Sequence, residues 1–187
     1  QSIELASVGV TEARLRFAAG AEAEARVLLD ATEPRLLAAG RAVDLRDAGL
    51  LRLRLAVRDN DWRRVEDAGQ RLLATLPEPT HGGLSAERLV AQAFAALGRY
   101  KRTRDPPSVA AARQAAELLL GRDDQVAYLT ASATLPAALA TQAAGDSAAA
   151  QSLCQRALAA LTRNMSDGEA TALWERWQPR GSTPLHC

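Results

Sequence analysis

His81 and His186 are the only histidines of this sequence, and Cys154 and Cys187 are its only cysteines. A nucleophile needs a base beside it, and a metal needs convergent ligands held by orienting partners. Neither histidine has a carboxylate or a cysteine at helical ligand spacing, and the adjacent pair His186-Cys187 is too close along the chain to ligate one metal well. His81, in Pro77-Glu78-Pro79-Thr80-His81-Gly82-Gly83, reads as a solvated loop residue. Gly82-Gly83 lacks the Gly-Lys-Ser/Thr ending and the preceding strand that shape a phosphate loop. The acidic pairs Glu22/Glu24 and Asp123/Asp124 are too close to flank a substrate as acid and base, and charge at helix ends and turns accounts for them. The sequence therefore predicts no catalytic, cofactor-binding or metal-ligating residue, and a protein that is not an enzyme.

Binding chemistry is better represented. Arg99-Tyr100-Lys101-Arg102-Thr103-Arg104 is the one local concentration of charge, kept near a turn by the Pro106-Pro107 break and neutralised by no neighbouring acidic run. Lys101, Arg102 and Arg104 are candidates for contact with an acidic partner or a phosphate. A helix end whose cations complement the negative end of the helix dipole explains the same segment. Trp174 and Trp177 are candidate partner anchors, one of the two expected to be partly exposed, because tryptophan is favoured at binding hot spots. Trp62 reads as packing between helices. Two cysteines permit one disulfide, but Cys154 in an Ala-rich helix and Cys187 at the last position read better as a buried thiol and a frayed one.

These side chains need a frame, and composition indicates its class. The 187 residues suffice for one continuous core or a short repeat array. Hydrophobic residues make up 48% and aromatic ones 4%, most of the apolar content being Ala and Leu, strong helix formers. Ile3 is the single isoleucine, and no window alternates β-branched with polar residues, so essentially no sheet is expected. The charges, 23 basic and 22 acidic, leave +1, too little for a field that gathers nucleic acid in general. Lys101 is the only lysine, and the preference for Arg and Ala fits a GC-rich bacterial genome. No stretch approaches the length of an uncharged apolar span, so no membrane span is expected.

Turn-prone pivots at Gly20, Asn60, Gly98 and Gly145 lie 40, 38 and 47 residues apart, each between two apolar runs. Periods of this size indicate stacked helical hairpins. The first hairpin is expected from Ile3 to Phe17 and from Ala21 to about Asp30, with Ala25, Leu28 and Leu29 inside. Pro34 then breaks or restarts the helix, with Thr32 as N-cap. Gly40 and Gly49 leave the stretch to Asp47 open between one kinked helix and two. The second hairpin carries Leu50, Leu51, Leu53 and Leu55, a turn at Arg58 to Asp61 with an Asp N-cap, then Trp62, Val65, Leu72 and Leu73 until Pro77.

The third has Val90, Ala91, Phe94, Gly98 and Tyr100, then Lys101 to Pro107 as a turn insertion or a longer first helix, then Val109 to Leu120. The fourth runs from Val126 to Ala143 with a kink at Pro136, turns at Gly145-Asp146 and continues through Ala150, Cys154, Ala157 and Leu158. A last helix with Leu173, Trp174 and Trp177 caps the stack. The expected domain is residues 1–178, with 179–187 a loose tail. Leu53, Val65, Leu72, Phe94, Leu119 and Leu158 are the expected core.

Asn60, Asp61, Trp62 and Pro77, and likewise Val90, Ala91, Phe94, Gly98 and Tyr100, resemble the tetratricopeptide repeat in residue type and offset. Leu53 and Ala56 depart from it, and the periods exceed its usual length. The resemblance implies an all-α solenoid of about four antiparallel hairpins with a capping helix. It also implies an interaction scaffold whose concave face holds a peptide or helix of another protein. A ligand-sensing helical bundle, with small residues of the fourth hairpin lining an apolar cavity, is the alternative, and a helical enzyme the next. Gln1 in place of Met suggests a cleaved signal peptide, a removed anchor or an excised domain. That tips the expected location towards the periplasm and a bacterial envelope or secretion assembly.

Overall fold

Five helices among the described residues of this chain end at a residue whose backbone turns left-handed. The computed structural model describes residues 2–77, 84–122, 127–181, 185 and 187. The expectations for His81, Gly82-Gly83, Asp123/Asp124, Val126 and His186 lie outside them. The described residues form α-helices and no strand: α1 Ser2–Ala18, α2 Glu22–Ala38, α3 Ala42–Arg58, α4 Trp62–Thr75, α5 Ala86–Thr103, α6 Pro106–Leu120, α7 Ala127–Ala143, α8 Ser147–Leu161 and α9 Asp167–Trp177.

One C-cap motif closes four of these helices. Gly20, Gly40, Asn60 and Gly145 have φ of 83°, 64°, 58° and 93°, the region where Gly and then Asn pay least. In each case the amide of that residue bonds back three positions and the next amide bonds back five, as in Ala21 N–H to Arg16 O at 2.8 Å and Asp61 N–H to Ala56 O at 3.1 Å. Helices thus begin at residues 2, 22, 42 and 62, a spacing that the sequence shows only when Gly40 is counted as a turn.

Contacts gather into two compact units, Gln1–Leu55 and Ala56–Cys187. In the first unit α1 packs on α2. Ala6, Val10, Ala13 and Phe17 face inward from α1, and Ala25, Leu29, Thr32 and Leu36 from α2, each at three- and four-residue spacing. Gly9 sits at the closest approach, because a Cβ there would lie against Thr32 Cγ2. Pro34 does not break the chain as expected, and Thr32 is no N-cap. Both lie within α2, and the Thr32 hydroxyl donates to Leu28 O at 2.8 Å. Proline inside a helix costs about 3 kcal/mol, which the buried faces on either side of it offset.

In the second unit consecutive helices pack on one another from α4 to α9, and α5 also packs on α7. The arrangement is consistent with a helical repeat. Val65, Leu72, Phe94 and Leu119 are buried in it, and Leu53 is buried in α3. Leu158 is not: it is partly exposed, and Leu153, Cys154, Ala157 and Leu161 form the buried face of α8 instead. Pro136 lies within α7, whose residues from Thr130 to Thr141 are all buried. The hydroxyls of Ser132 and Thr134 donate to the carbonyls four residues before them, at 2.6 and 2.7 Å, which satisfies polar groups within an apolar helix.

Gly98 is a packing residue, not a pivot. It lies inside α5, and a Cβ there would stand 2.5 Å from Glu66 N and 2.7 Å from Trp62 O of α4. On the other side of the same contact, a Cβ at Gly69 would stand 2.9 Å from Ala95 Cβ and N. The longer first helix is thereby the correct reading of the third hairpin, whose turn falls at Arg104 (φ 57°) and Asp105.

Candidate partner-binding groove

With α4 and α5 drawn together at Gly69 and Gly98, α6 folds back along α5, and an open groove of about 480 Å³ lies along the three helices. α5 lends one face, Gln92, Ala95, Ala96 and Arg99, at helical spacing. From α4 come Gln70 and Leu73, and from α6 Pro107, Ser108, Ala111, Gln114, Ala115 and Leu118, with Leu84 and Asp105 beside them. Leu118 is 44% exposed, the most open large apolar side chain among the described residues of this unit. The alanines leave the floor shallow, so a bound chain can approach the helix backbones.

None of the amides of Gln70, Gln92 and Gln114 has a hydrogen-bond partner among the described residues. Each offers a carbonyl acceptor and two N–H donors, the same inventory as a peptide group. Sequence reasoning missed them because a glutamine carries no motif. Gln92 had one legible signal: it is the lone polar residue of the run Leu89 to Ala96.

The basic segment borders this groove through Arg99, and its charge is partly answered from α4. Glu66 accepts from Arg99 Nε at 3.2 Å and from Arg102 Nη1 at 2.5 Å. No acidic run adjoins the segment in sequence, but one acid from another helix answers part of its charge. The acid stands 33 and 36 residues away in sequence, where inspection of neighbours cannot find it. Lys101 Nζ lies 5.1 Å from the centre of the half-buried Trp62 ring, a cation–π contact. Burial, and then the nearby charge of Arg104, hold the Lys101 ammonium below the usual lysine range. Arg104 closes α5 in left-handed conformation with its guanidinium 5.6 Å from the Tyr100 ring, while the Tyr100 hydroxyl donates to Ala143 O at 3.2 Å.

The tryptophans stand elsewhere. Trp174 and Trp177 are each 1% exposed, so the expected partly exposed ring is not found and neither offers a surface anchor. Trp177 meets Tyr128 edge to face at 5.0 Å, as aromatic quadrupoles favour. Amphipathic periodicity places both on the inner face of α9, and the tertiary contacts of that face bury them.

The cysteines also depart from expectation, because Cys154 and Cys187 form a disulfide with Cα atoms 5.5 Å apart. Nor is the segment after α9 loose where it is described: Pro179 and Leu185 are buried. Among the described residues no group of three or more His, Cys, Asp and Glu side chains stands close enough to hold a metal ion. No helix among them is long and apolar enough to cross a membrane. Comparison with protein-family models, with curated proteins and with solved structures finds no match to this chain.

Proposed function

We propose that this chain is a non-enzymatic, tetratricopeptide-like helical-repeat module that holds a segment of another protein in the groove along α4, α5 and α6. The observation that carries the reading is the set of three glutamine amides, without a hydrogen-bond partner among the described residues, above a floor of alanines. A row of donors and acceptors without net charge suits the main chain of a peptide, and the shallow floor admits its backbone. Arg99, engaged among the described residues through Nε, keeps its terminal N–H groups for a carbonyl or carboxylate at one end of the groove. Lys101, Arg102 and Arg104 extend that end as a cationic rim for an acidic stretch of the partner. The repeated C-cap motif and the packing of consecutive helices support the solenoid class. The Cys154–Cys187 bridge supports an oxidising compartment, in keeping with a bacterial envelope or secretion assembly.

Selection of random peptides on the immobilised chain tests the reading. Enriched peptides should bind it and crosslink to Gln70, Gln92 or Gln114. Ala111→Trp, which fills the groove from an exposed position of α6, should weaken them about tenfold or more while leaving the melting temperature nearly unchanged. Peptides that bind Ala111→Trp as tightly as the parent chain would overturn the assignment.

A further inference from the structure

The segment after α9 is held from two sides. Towards the α3–α4 turn, Arg58 Nη1 donates to Gln178 O at 2.8 Å, Arg180 N–H donates to Arg58 O at 3.2 Å and Asn60 Nδ2 donates to Arg180 O at 2.9 Å. Towards its own continuation, the Gln178 side chain pairs twice with Leu185: its Oε1 accepts from Leu185 N–H at 2.6 Å and its Nε2 donates to Leu185 O at 3.2 Å. Gln178 is 4% and Leu185 5% exposed. Two residues further, Cys187 is bonded to Cys154, whose side chain is wholly buried in α8. One covalent bond thus ties Gln178, Arg180 and Leu185, and through them the α3–α4 turn, to α8.

We infer that the Cys154–Cys187 bridge is a redox latch on this clasp. Oxidised, it holds Leu185 against Gln178 and keeps Gln178 and Arg180 on the α3–α4 turn; reduced, it frees the clasp while the helices stay folded. Apart from the bridge, the described part of the clasp buries only Pro179 and Leu185 as apolar anchors. Hydrogen bonds exchanged with water contribute modestly each, so loss of the covalent restraint leaves a clasp that opens more often.

The two sulfurs are unequal. Residue Cys187 is exposed and Cys154 is not, so Cys187 Sγ is the sulfur a dithiol should reach first. A sulfur–sulfur bond forms between reductant and Cys187, the Cys154–Cys187 bond breaks, and Cys154 leaves as a thiolate that takes a proton. The second thiolate of the reductant then displaces Cys187, which is protonated in water. The reductant is oxidised to its disulfide by two electrons, and the protein gains two thiols. A leaving thiolate in apolar surroundings is disfavoured, which makes opening slow and the latch proof against brief exposure.

Hydrogen exchange read by mass spectrometry on the full chain, before and after dithiothreitol with thiols counted, tests this. Exchange at the amides of Gln178, Arg180 and Leu185 should quicken about tenfold or more on reduction, with α5 and α6 unchanged. A double variant, Cys154→Ala with Cys187→Ala, should reproduce the reduced pattern without reductant. Unchanged exchange at Leu185 after full reduction would overturn the latch. So would two free thiols in protein purified without reductant. Faster exchange spread equally over α5 and α6, in reduced protein or double variant, would show a bridge that holds the whole fold and would overturn it too.

Discussion

Replacing Gly98 by Ala adds one methyl group where the fold has no room for it. The new Cβ would stand 2.5 Å from Glu66 N, 2.7 Å from Trp62 O and 2.9 Å from Glu66 Cα. Carbon in van der Waals contact needs about 3.5 Å or more, so α4 must retreat from α5 by roughly 1 Å along this stretch. All three obstructing atoms are backbone, so no side chain can swing aside. Overpacking of this kind costs about 1–3 kcal/mol, and Ala in place of a helical Gly returns up to about 1 kcal/mol. The net expectation is a loss of about 1 kcal/mol, or about 2–4 °C in melting temperature for a chain of this length. Gly168→Ala in α9 is the control, since nothing lies within 4 Å of its added Cβ, and there the propensity gain should appear alone. Urea unfolding followed by helical circular dichroism measures both. A Gly98→Ala variant as stable as the parent, or more so, would refute the backbone-to-backbone approach of α4 and α5 and the groove built on it.

Leu72→Ala, at a side chain 4% exposed in α4, should cost about 2–5 kcal/mol in the same assay, and a loss under about 1 kcal/mol would show that Leu72 is not a core residue. Exchanging Lys101, Arg102 and Arg104 together for Gln should lower the melting temperature only modestly, because it removes one ion pair to Glu66 and two cation–π contacts near the surface, each contributing about 1 kcal/mol or less. It should weaken peptide binding at low salt, the loss shrinking as the Debye length falls from about 10 Å to about 3 Å; unchanged low-salt affinity would return the segment to a solvated helix end. Glu117 is held below the usual carboxylate range by its hydrogen bonds to Arg156, Oε1 to Nη1 at 2.6 Å and Oε2 to Nη2 at 2.7 Å. A depressed folded-state pKa adds stability above the unfolded value, about 4.3, that fades as pH falls through the folded one. Glu117→Gln should therefore lower stability slightly in the neutral region and leave it unchanged at pH below the folded value, which flattens the acid limb of the profile. An unaltered acid limb would deny the pair any role.

The helix class and most helix ends were legible because they depend on a few consecutive residues. Ala and Leu favour the helix wherever they fall, and Gly20, Asn60 and Gly145 accept the left-handed φ that a C-cap needs. Gly40 meets the same requirement, but beside Pro34 and Gly49 it does not by itself tell one kinked helix from two, and a proline between two well-buried faces is carried by the packing of its helix. What sequence could not decide is everything that depends on which residues meet. Gly98 looks like a turn until the backbone of α4 is laid against it, and the basic run looks unanswered until Glu66 arrives from another helix. Trp174 and Trp177 look like anchors until α9 docks and buries them. Cys154 and Cys187 become a bridge only when the segment after α9 turns back to α8. The groove is the furthest from sequence, because its glutamines and alanines are common on any helix. Only packing α4, α5 and α6 together makes three ordinary amides into one set, since propensity acts along the chain and recognition acts across it.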